Sequence, residues 1–293
     1  MNMGSQCIEC VLSRVRYEAQ LVCSDDDRVF DVCVQSMRAM SEALEHTRCS
    51  ARVATHVHRA AYRALGCDDP YATIKKMCNT SAARALPTAE RLLDEASSPI
   101  ERFRMAMLIA TVGNAFDFGV SGFDVPHEHF ERELERMCSR GFDVDDISDM
   151  VPLLDDVLYL TDNCGEIVLD ALALDQLRSM GARITLVVKG APIITDATLE
   201  DVHALGLEKH VDRVLTTGSN AIGVSLEEAP EELLHAMDSA SLIIAKGMAN
   251  YESLSEYDIS MPIAYFMMLK CDVVAKSLGL EKGMLIAKLC NPE

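Results

Sequence analysis

The sequence predicts an α/β protein in which a helical N-terminal region precedes a mostly parallel sheet covered by helices on both faces. Three observations lead to this fold class. The first 150 residues have helical patterns with short breaks between them. After Pro152, short apolar or β-branched runs alternate with segments long enough to be crossover helices. The runs are apolar throughout, which is typical of parallel strands buried on both faces.

Six helices are predicted in the N-terminal region, because these segments are rich in Ala, Leu, Met, Arg and Glu. They span residues 7–22, 26–46, 50–65, 88–96, 99–116 and 127–138. Prolines at positions 70, 87, 99 and 126 lie between these segments or at their starts, where proline costs a helix least. Residues 105–112 are apolar on nearly every side, so we expect the fifth helix to be buried.

Four strands are predicted in the C-terminal region, at residues 157–160, 184–188, 213–216 and 242–245. Residues 167–180 and 198–205 are the predicted crossover helices. Two shorter strands are expected at residues 273–275 and 284–287. The change of pattern near residue 150 places the domain boundary, with a helical domain at residues 1–150 and an α/β domain at residues 151–293.

The charge balance excludes several classes of partner. The chain has 27 Lys and Arg residues against 46 Asp and Glu residues, a formal net charge of −19. Such a charge repels nucleic-acid phosphates and anionic lipid surfaces, and the sequence contains no basic patch. It has no signal-like N-terminus and no run of about 18 apolar residues. Its 11 cysteines lie mostly singly within helical patterns, which favours reduced thiols. We therefore expect a cytoplasmic protein with no nucleic-acid or membrane partner.

The residues that follow the four predicted strands are unusually polar. Open parallel sheets bind ligands beyond the carboxyl ends of their strands, so these residues mark the expected site. Their sequences are TDNCGE at 161–166, KGAPIITD at 189–196, TGSN at 217–220 and KGMANYE at 246–252. Carboxylate and amide oxygens suit a hard divalent cation such as Mg²⁺ or Mn²⁺. Lys246 offers a positive charge to a phosphate. The pattern predicts phosphoryl transfer or hydrolysis.

A structural interpretation of the same polar residues stays open. Asp162 or Asn163 would cap the helix that follows, with Glu166 three residues after Asn163 as in a capping box. Asp196 would likewise cap the helix that begins near Thr198. Four polar strand ends together favour a binding site over capping alone.

Common catalytic motifs are absent from the sequence. No G-x-G-x-x-G follows the first strand, no phosphate-binding loop ends in G-K-[ST], and no G-x-S-x-G elbow occurs. This argues against dinucleotide binding, ordinary NTP binding and serine hydrolysis. The His56–His58 and His127–His129 pairs lack the spacing of a zinc protease, and we expect them to be solvated.

Two further pairs of residues have a functional and a structural interpretation. Cys7 and Cys10 have the spacing of metal ligands, but no second pair follows at zinc-finger distance. They are either part of a zinc site that recruits distant residues or a helix-borne thiol pair. Asn114 and Asp117 share a face at the end of the buried helix. They either join the polar rim of the sheet or satisfy neighbouring helix ends.

At these residues the sequence resembles the damage-control phosphatase family, formerly the domain-of-unknown-function-89 family, in its prokaryotic branch. The resemblance covers nearly the whole chain and depends on the order of six motifs. They are CIEC at 7–10, DPY at 69–71, GNAFDFG at 113–119, DNCGE at 162–166, KGAPIITD at 189–196 and KGMANYE at 246–252. The resemblance implies a helical domain packed on a Rossmann-like, three-layer α/β domain. It also implies hydrolysis of small phosphorylated metabolites, such as sugar phosphates, with a divalent metal ion (Mn, Mg, Co or Ni).

The resemblance assigns roles to individual residues. The family's metal ligands correspond to Asp162, Asn163 and Asp196. Asp162 and Lys246 are the expected catalytic residues. Substrate-binding roles are expected for Lys246, Gly247, Asn250, Glu166, Asn114 and Asp117. Thr195 departs from the Asn expected before the last Asp, so no role is carried over to position 195. The nucleophile, either a water or a carboxylate such as that of Asp162, stays open, as does the oligomeric state.

Two other functions remain as alternatives. The first is an S-adenosylmethionine-dependent carboxyl methyltransferase, since a Rossmann-like domain also carries that cofactor. The glycine-rich loop expected for this cofactor is missing after the first strand. The second is a non-catalytic metal-dependent metabolite-binding protein, which predicts ligand binding without turnover.

Overall fold

The N-terminal region of the chain is helical, as the sequence predicts. The computed structural model describes residues 1–115 and 127–291. The N-terminal helices are α1 (Ser5–Val22), α2 (Asp26–His46), α3 (Ser50–Leu65), α4 (Ala72–Asp94), α5 (Pro99–Ala115) and α6 (His127–Arg140). α2 begins after Asp25, whose side chain accepts a hydrogen bond from the Asp27 N–H. α3 ends at Leu65 and is followed by Gly66, which takes the positive φ of 65° that suits glycine.

Helix α4 is longer than the sequence predicted, since it begins at Ala72 rather than at residue 88. Pro87 was expected between helices and instead lies inside α4. A proline removes one backbone hydrogen bond from a helix interior. The helix continues through it because residues on both sides of Pro87, including Ala82, Ala85 and Ala89, bury one continuous apolar face.

The C-terminal region alternates strands with helices. Its strands are β1 (Val144–Asp145), β2 (Asp156–Leu160), β3 (Arg183–Val188), β4 (Arg213–Thr216), β5 (Leu242–Lys246), β6 (Ile263–Met268) and β7 (Leu285–Cys290). Its helices are α7 (Ile147–Met150), α8 (Glu166–Ser179), α9 (Leu199–Leu205), α10 (Glu231–Ser239), α11 (Gly247–Leu254) and α12 (Asp272–Ser277). In the described residues the strands form one sheet in the order β1-β7-β6-β5-β2-β3-β4. Only the β6–β7 pairing within this sheet is antiparallel. The α/β fold class is confirmed.

The predicted strands are largely present. β2, β3, β4 and β5 match the four apolar runs to within one residue at each end. β7 includes residues 285–287 of the strand predicted at residues 284–287, whereas the strand predicted at residues 273–275 is wrong, because these residues lie in α12. The Cys271 thiol caps this helix by accepting a hydrogen bond from the Val274 N–H. Strands β1 and β6 were not predicted.

Alternate residues of the strands face opposite sides of the sheet and enter different cores. Tyr159 and Ile244 belong to the core that includes α4, α5, α6 and α8. Leu158 and Ile243 belong to the core that includes α10, α11 and α12. Helices therefore cover both faces, as the apolar strands predicted. The domain boundary at residue 150 stays a prediction, and helices α4 to α6 share one core with the sheet.

Helices α1, α2 and α3 pack around a third core. Ile193, from the loop that follows β3, belongs to this core. The loop after β4 also reaches these helices, because the Ile222 N–H donates a hydrogen bond of 2.9 Å to Thr55 Oγ1 on α3. These contacts place the helices beside the carboxyl edge of the sheet, where ligands of open parallel sheets bind.

The sequence also predicted a cytoplasmic protein with no membrane partner. None of the helices in residues 1–115 and 127–291 has the length and apolar composition needed to cross a bilayer. The absence of a membrane partner and the cytoplasmic location stay predictions.

Candidate active site

The loops that follow β2 and β3 pair with each other at the carboxyl edge of the sheet. Asn163 and Asp196 form an antiparallel backbone bridge between the two loops. The Ala197 N–H donates a hydrogen bond of 2.9 Å to the carbonyl of Asp162. The structure therefore brings together Asp162, Asn163 and Asp196, the three residues expected to bind metal. Their metal-binding role stays a prediction.

Side-chain contacts fix the orientation of the amide in this group. Asn163 Nδ2 donates a hydrogen bond of 2.7 Å to Asp162 Oδ2. Thr195 Oγ1 donates one of 2.6 Å to Asn163 Oδ1. Position 195, to which the family resemblance carried no role, thus holds the Asn163 oxygen in place. This oxygen still has a second lone pair for another ligand.

Lys189 supplies a positive charge beside Asp196. Lys189 Nζ lies 3.4 Å from Asp196 Oδ2, and both side chains are buried. The same ammonium donates a hydrogen bond of 3.0 Å to the carbonyl of Ala221 and another to the carbonyl of Gly223. Burial raises the pKa of Asp196 above its ordinary value, and the Lys189 ammonium opposes this effect. Lys189 therefore links the loops after β3 and β4 and favours the charged carboxylate of Asp196.

Gly247 leaves room for the Asp162 carboxylate. Gly247 follows β5 directly and has a positive φ of 76°, a conformation that favours glycine. A Cβ atom at this position would lie 1.9 Å from Asp162 Oδ2. The carboxylate thus lies directly against the first residue of α11, in a space that any other side chain would fill.

The donor atoms at this edge fit a hard divalent cation. They are the oxygens of two carboxylates and one amide, the ligand type that Mg²⁺ and Mn²⁺ prefer. Such ions usually take few protein ligands and complete their shell with water or substrate phosphate. In the described part of the chain, no group of three or more His, Cys, Asp or Glu side chains has the arrangement of a metal site. A cation here would therefore depend on Asn163 and on non-protein ligands.

Lys246 does not face the rim of the sheet, contrary to its expected contact with phosphate. Lys246 Nζ donates hydrogen bonds of 2.5 Å to Glu166 Oε1 and 2.7 Å to Asp170 Oδ1, and all three side chains are fully buried. Tyr159 Oη donates a further bond of 2.7 Å to Asp170 Oδ1. Burial by itself lowers the pKa of Lys246, but the carboxylates of Asp170 and Glu166 hold it well above its ordinary value. Lys246 and Glu166 thus belong to a charge cluster between the sheet and α8, and their substrate-binding roles stay predictions.

The remaining predicted substrate residues divide into two groups. Asn250 is buried, and its Nδ2 donates hydrogen bonds of 3.0 Å to the Thr161 carbonyl and 2.7 Å to the Lys246 carbonyl. It therefore ties α11 to the end of β2, and its substrate-binding role stays a prediction. Asp117 and the side chain of Asn114 lie outside the described residues.

A cavity of about 390 Å³ lies between the N-terminal helices and the rim loops. Ile194 and Met248 belong to its wall, and they are close neighbours in sequence of Asp196 and Gly247 respectively. The wall contains the basic side chains Arg14 and Lys282 and the acidic side chains Glu252 and Asp272, and His58 also belongs to it. The cavity therefore adjoins the oxygen cluster and is lined by groups of both charges.

Cys7 and Cys10 line this cavity together with Cys271. All three thiols are free, and burial raises the pKa of Cys7 and of Cys271. In residues 1–115 and 127–291, no metal-site cluster of His, Cys, Asp and Glu includes them. The structure thus favours the thiol-pair interpretation over zinc.

One residue of the cavity wall was predicted wrongly from the sequence. His58 was expected in solvent, but it is 2% exposed and pairs with the buried carboxylate of Glu18. Sequence reasoning missed the pair because its members lie on different helices, 40 residues apart. Only the helical period of α3, which places His58 on the same face as the buried Ala61, Tyr62 and Leu65, signals its burial.

Comparisons with known proteins give related sequences and a related structure. A family model described as the damage-control phosphatase ARMT1-like domain matches residues 3–286. A protein of Archaeoglobus fulgidus named damage-control phosphatase is 38% identical over 99% of both chains. A damage-control phosphatase of Pyrococcus horikoshii is 30% identical over 98% of this chain and 97% of that protein. A crystal structure of a DUF89 family protein from Pyrococcus horikoshii superposes with a TM-score of 0.87 at 29% identity and covers 98% of each chain.

Proposed function

Because the chain belongs to the ARMT1-like damage-control phosphatase domain family, as its motifs suggested, we propose that it is a phosphatase of small phosphorylated metabolites. The relatives named damage-control phosphatases support hydrolysis of a phosphate ester. The finer proposal is that the reaction takes place at the oxygen cluster of Asp162, Asn163 and Asp196, and that it depends on a divalent metal ion such as Mn, Mg, Co or Ni.

The observation that supports this proposal is the pairing, beside a cavity, of the two loops that carry these oxygen-bearing side chains. Asp162 and Asn163 follow β2, Asp196 follows β3, and the backbone pairing of their loops holds them together. Capping explains neither Asp162 nor Asp196, because α8 has no side-chain cap and α9 is capped by Thr198 and Asp201. The cluster therefore has no evident role in helix capping and suits a ligand.

In the proposed site, Asp162, Asn163 and Asp196 would hold the metal ion. When bound, it would supply Lewis-acid stabilisation of the charge on phosphate oxygens. Lys189 offsets part of the cost of burying the charged carboxylate of Asp196. Lys246 and Asn250 position β5 and α11, and so they fix Gly247 against Asp162.

The cavity indicates the size of the substrate. Its 390 Å³ lies near the lower end of the range for small-molecule pockets, roughly 300 to 1,000 Å³. Arg14 and Lys282 in its wall offer positive charge to an anionic group, and the acidic Glu252 and Asp272 in the same wall oppose it. The volume supports a small phosphorylated metabolite such as a sugar phosphate.

Metal-dependent release of phosphate is the first test of this function. The chain is treated with a chelator, then supplied with Mn²⁺, Mg²⁺, Co²⁺ or Ni²⁺ and assayed for phosphate release from a panel of sugar phosphates and other phosphomonoesters. We expect turnover with at least one metal and loss of turnover with the chelator alone. Binding of phosphomonoesters without turnover would favour a metabolite-binding protein. Heat released on titration with S-adenosylmethionine would favour a methyltransferase.

Gly247→Ala is expected to weaken Mn²⁺ binding by roughly 10- to 100-fold. The added methyl group would overlap Asp162 Oδ2 and displace that carboxylate. Isothermal titration calorimetry with Mn²⁺ measures the change. Gly206→Ala is the matched control, because Gly206 also has a positive φ, of 65°, but has no atom within 4 Å of the added Cβ. Equal weakening in both variants would show that backbone strain, and not the position of Asp162, is responsible.

A further inference from the structure

The wall of the cavity contains a buried histidine to which the proposed function gives no role. His58 on α3 pairs with Glu18 on α1, with His58 Nδ1 at 2.8 Å from Glu18 Oε1 and 2.9 Å from Oε2. Both side chains are buried. A carboxylate on Nδ1 fixes the orientation of the ring. Nε2 is then the ring nitrogen that remains for a ligand in the cavity.

The histidine lies on the face of α3 that meets the loop carrying Asp196. Tyr62 lies one turn after His58, and its hydroxyl accepts a hydrogen bond of 2.9 Å from the Ile194 N–H. Ile194 has a φ of 45°, which is rare for a β-branched residue, and lies two residues before Asp196. The helix face with His58 and Tyr62 is therefore held against the loop that carries Asp196.

The location of His58 in the cavity wall suits the leaving-group side of a phosphate ester. If the phosphoryl group lies at the oxygen cluster, the organic part of the substrate must extend into the adjoining cavity. The ester oxygen that joins the two parts then faces the wall. An alkoxide is a poor leaving group, so a positioned proton donor at this oxygen accelerates the reaction.

We propose that His58 is the general acid of the reaction and that Glu18 is its positioning residue, an inference that rests on the proposed phosphatase function. The bond between phosphorus and the ester oxygen breaks, and its electron pair stays on that oxygen. The proton on His58 Nε2 moves to the oxygen and gives the alcohol product. The attacking water forms the new bond to phosphorus, keeps one hydrogen in the HPO₄²⁻ product and releases the other proton, which restores the charged imidazole.

The test compares two substrates in the variants His58→Gln and Glu18→Gln. Glycerol phosphate has an alkoxide leaving group that needs a proton, whereas p-nitrophenyl phosphate releases a phenolate that does not. For His58→Gln we expect kcat on glycerol phosphate to fall by about 10²-fold and kcat on p-nitrophenyl phosphate to fall less than about tenfold. For Glu18→Gln we expect a smaller loss with the same preference for glycerol phosphate. Affinity for Mn²⁺, measured by calorimetry, is expected to stay the same in both variants.

His203→Gln is the matched control variant. His203 also pairs through Nδ1 with a glutamate, Glu208, but its side chain is 66% exposed and does not line the cavity. We expect both substrates to be hydrolysed by this variant at the unaltered rate. Equal losses on the two substrates in His58→Gln, or no loss on either, would overturn the role of His58 and leave the phosphatase function intact.

A measurement on the unaltered protein decides the matter if His58→Gln does not fold. The values of kcat/KM for a series of aryl and alkyl phosphates are compared with the pKa of each leaving group. If His58 protonates the leaving group, kcat/KM changes little with the pKa of the leaving group. A steep fall of kcat/KM with rising leaving-group pKa would contradict the role of His58. Absence of any metal-dependent turnover in the unaltered protein is a separate result, and it would overturn the proposed function together with this inference.

Discussion

Asp196→Asn is expected to reduce metal-dependent phosphate release by on the order of 10²- to 10³-fold. The substitution keeps the size of the side chain and leaves an oxygen for the Lys189 ammonium, which lies 3.4 Å from Asp196 Oδ2. It removes the negative charge that would attract a divalent cation. The loss of phosphate release therefore reports weaker metal binding and not a packing defect in the core. The measurements are kcat at saturating Mn²⁺ and the dissociation constant of Mn²⁺.

Asp201→Asn is the matched control for this prediction. Asp201 is 8% exposed and Asp196 is 6% exposed, and both residues follow β3. Asp201, however, accepts hydrogen bonds from the Thr198 N–H and hydroxyl in the capping box of α9. We expect its variant to lose roughly 1 kcal/mol of stability and to keep turnover within a few-fold. The assignment of Asp196 would be rejected if its variant kept full turnover, or if both variants lost turnover equally.

The sequence predicted the strands of the central sheet because burial on both faces leaves a continuous apolar run. β2 to β5 all have this pattern, and the crossover segments between them set their parallel order. β6 has the same pattern in IAYFMM and was missed. The Val273–Ala275 run gave the opposite error, because three residues are too few to separate a strand from a helix. In the structure this segment lies in α12, and the Cys271 thiol caps the start of that helix.

The convergence of Asp162, Asn163 and Asp196 could be predicted because loops after neighbouring parallel strands meet at one edge. The burial of Lys246 was missed, although the two-residue period of a strand was enough to predict it. Side chains alternate along a strand, so Lys246 shares the face of Leu242 and Ile244, which pack toward α8. The pair of Glu18 and His58 could not be predicted in this way, because it depends on how α1 packs against α3.

Lys246→Met is expected to lower the free energy of unfolding by about 3 to 5 kcal/mol. The substitution leaves Glu166 and Asp170 fully buried without the ammonium that neutralises them. Methionine fills a similar volume, so the loss reports the uncompensated charge and not an empty space. Urea denaturation followed by circular dichroism measures the change.

Two further variants distinguish a structural role of Lys246 from a catalytic one. Lys76→Met removes an exposed lysine that lies 3.9 Å from Glu200, and we expect it to change stability by less than about 0.5 kcal/mol. The triple variant Lys246→Met, Glu166→Gln, Asp170→Asn should recover much of the loss, because it leaves no buried charge in the cluster. A Lys246→Met protein with unchanged stability and abolished turnover would instead support the phosphate contact that the sequence predicted. The structure favours the first outcome, since a fully buried ammonium between two carboxylates is accessible to no substrate.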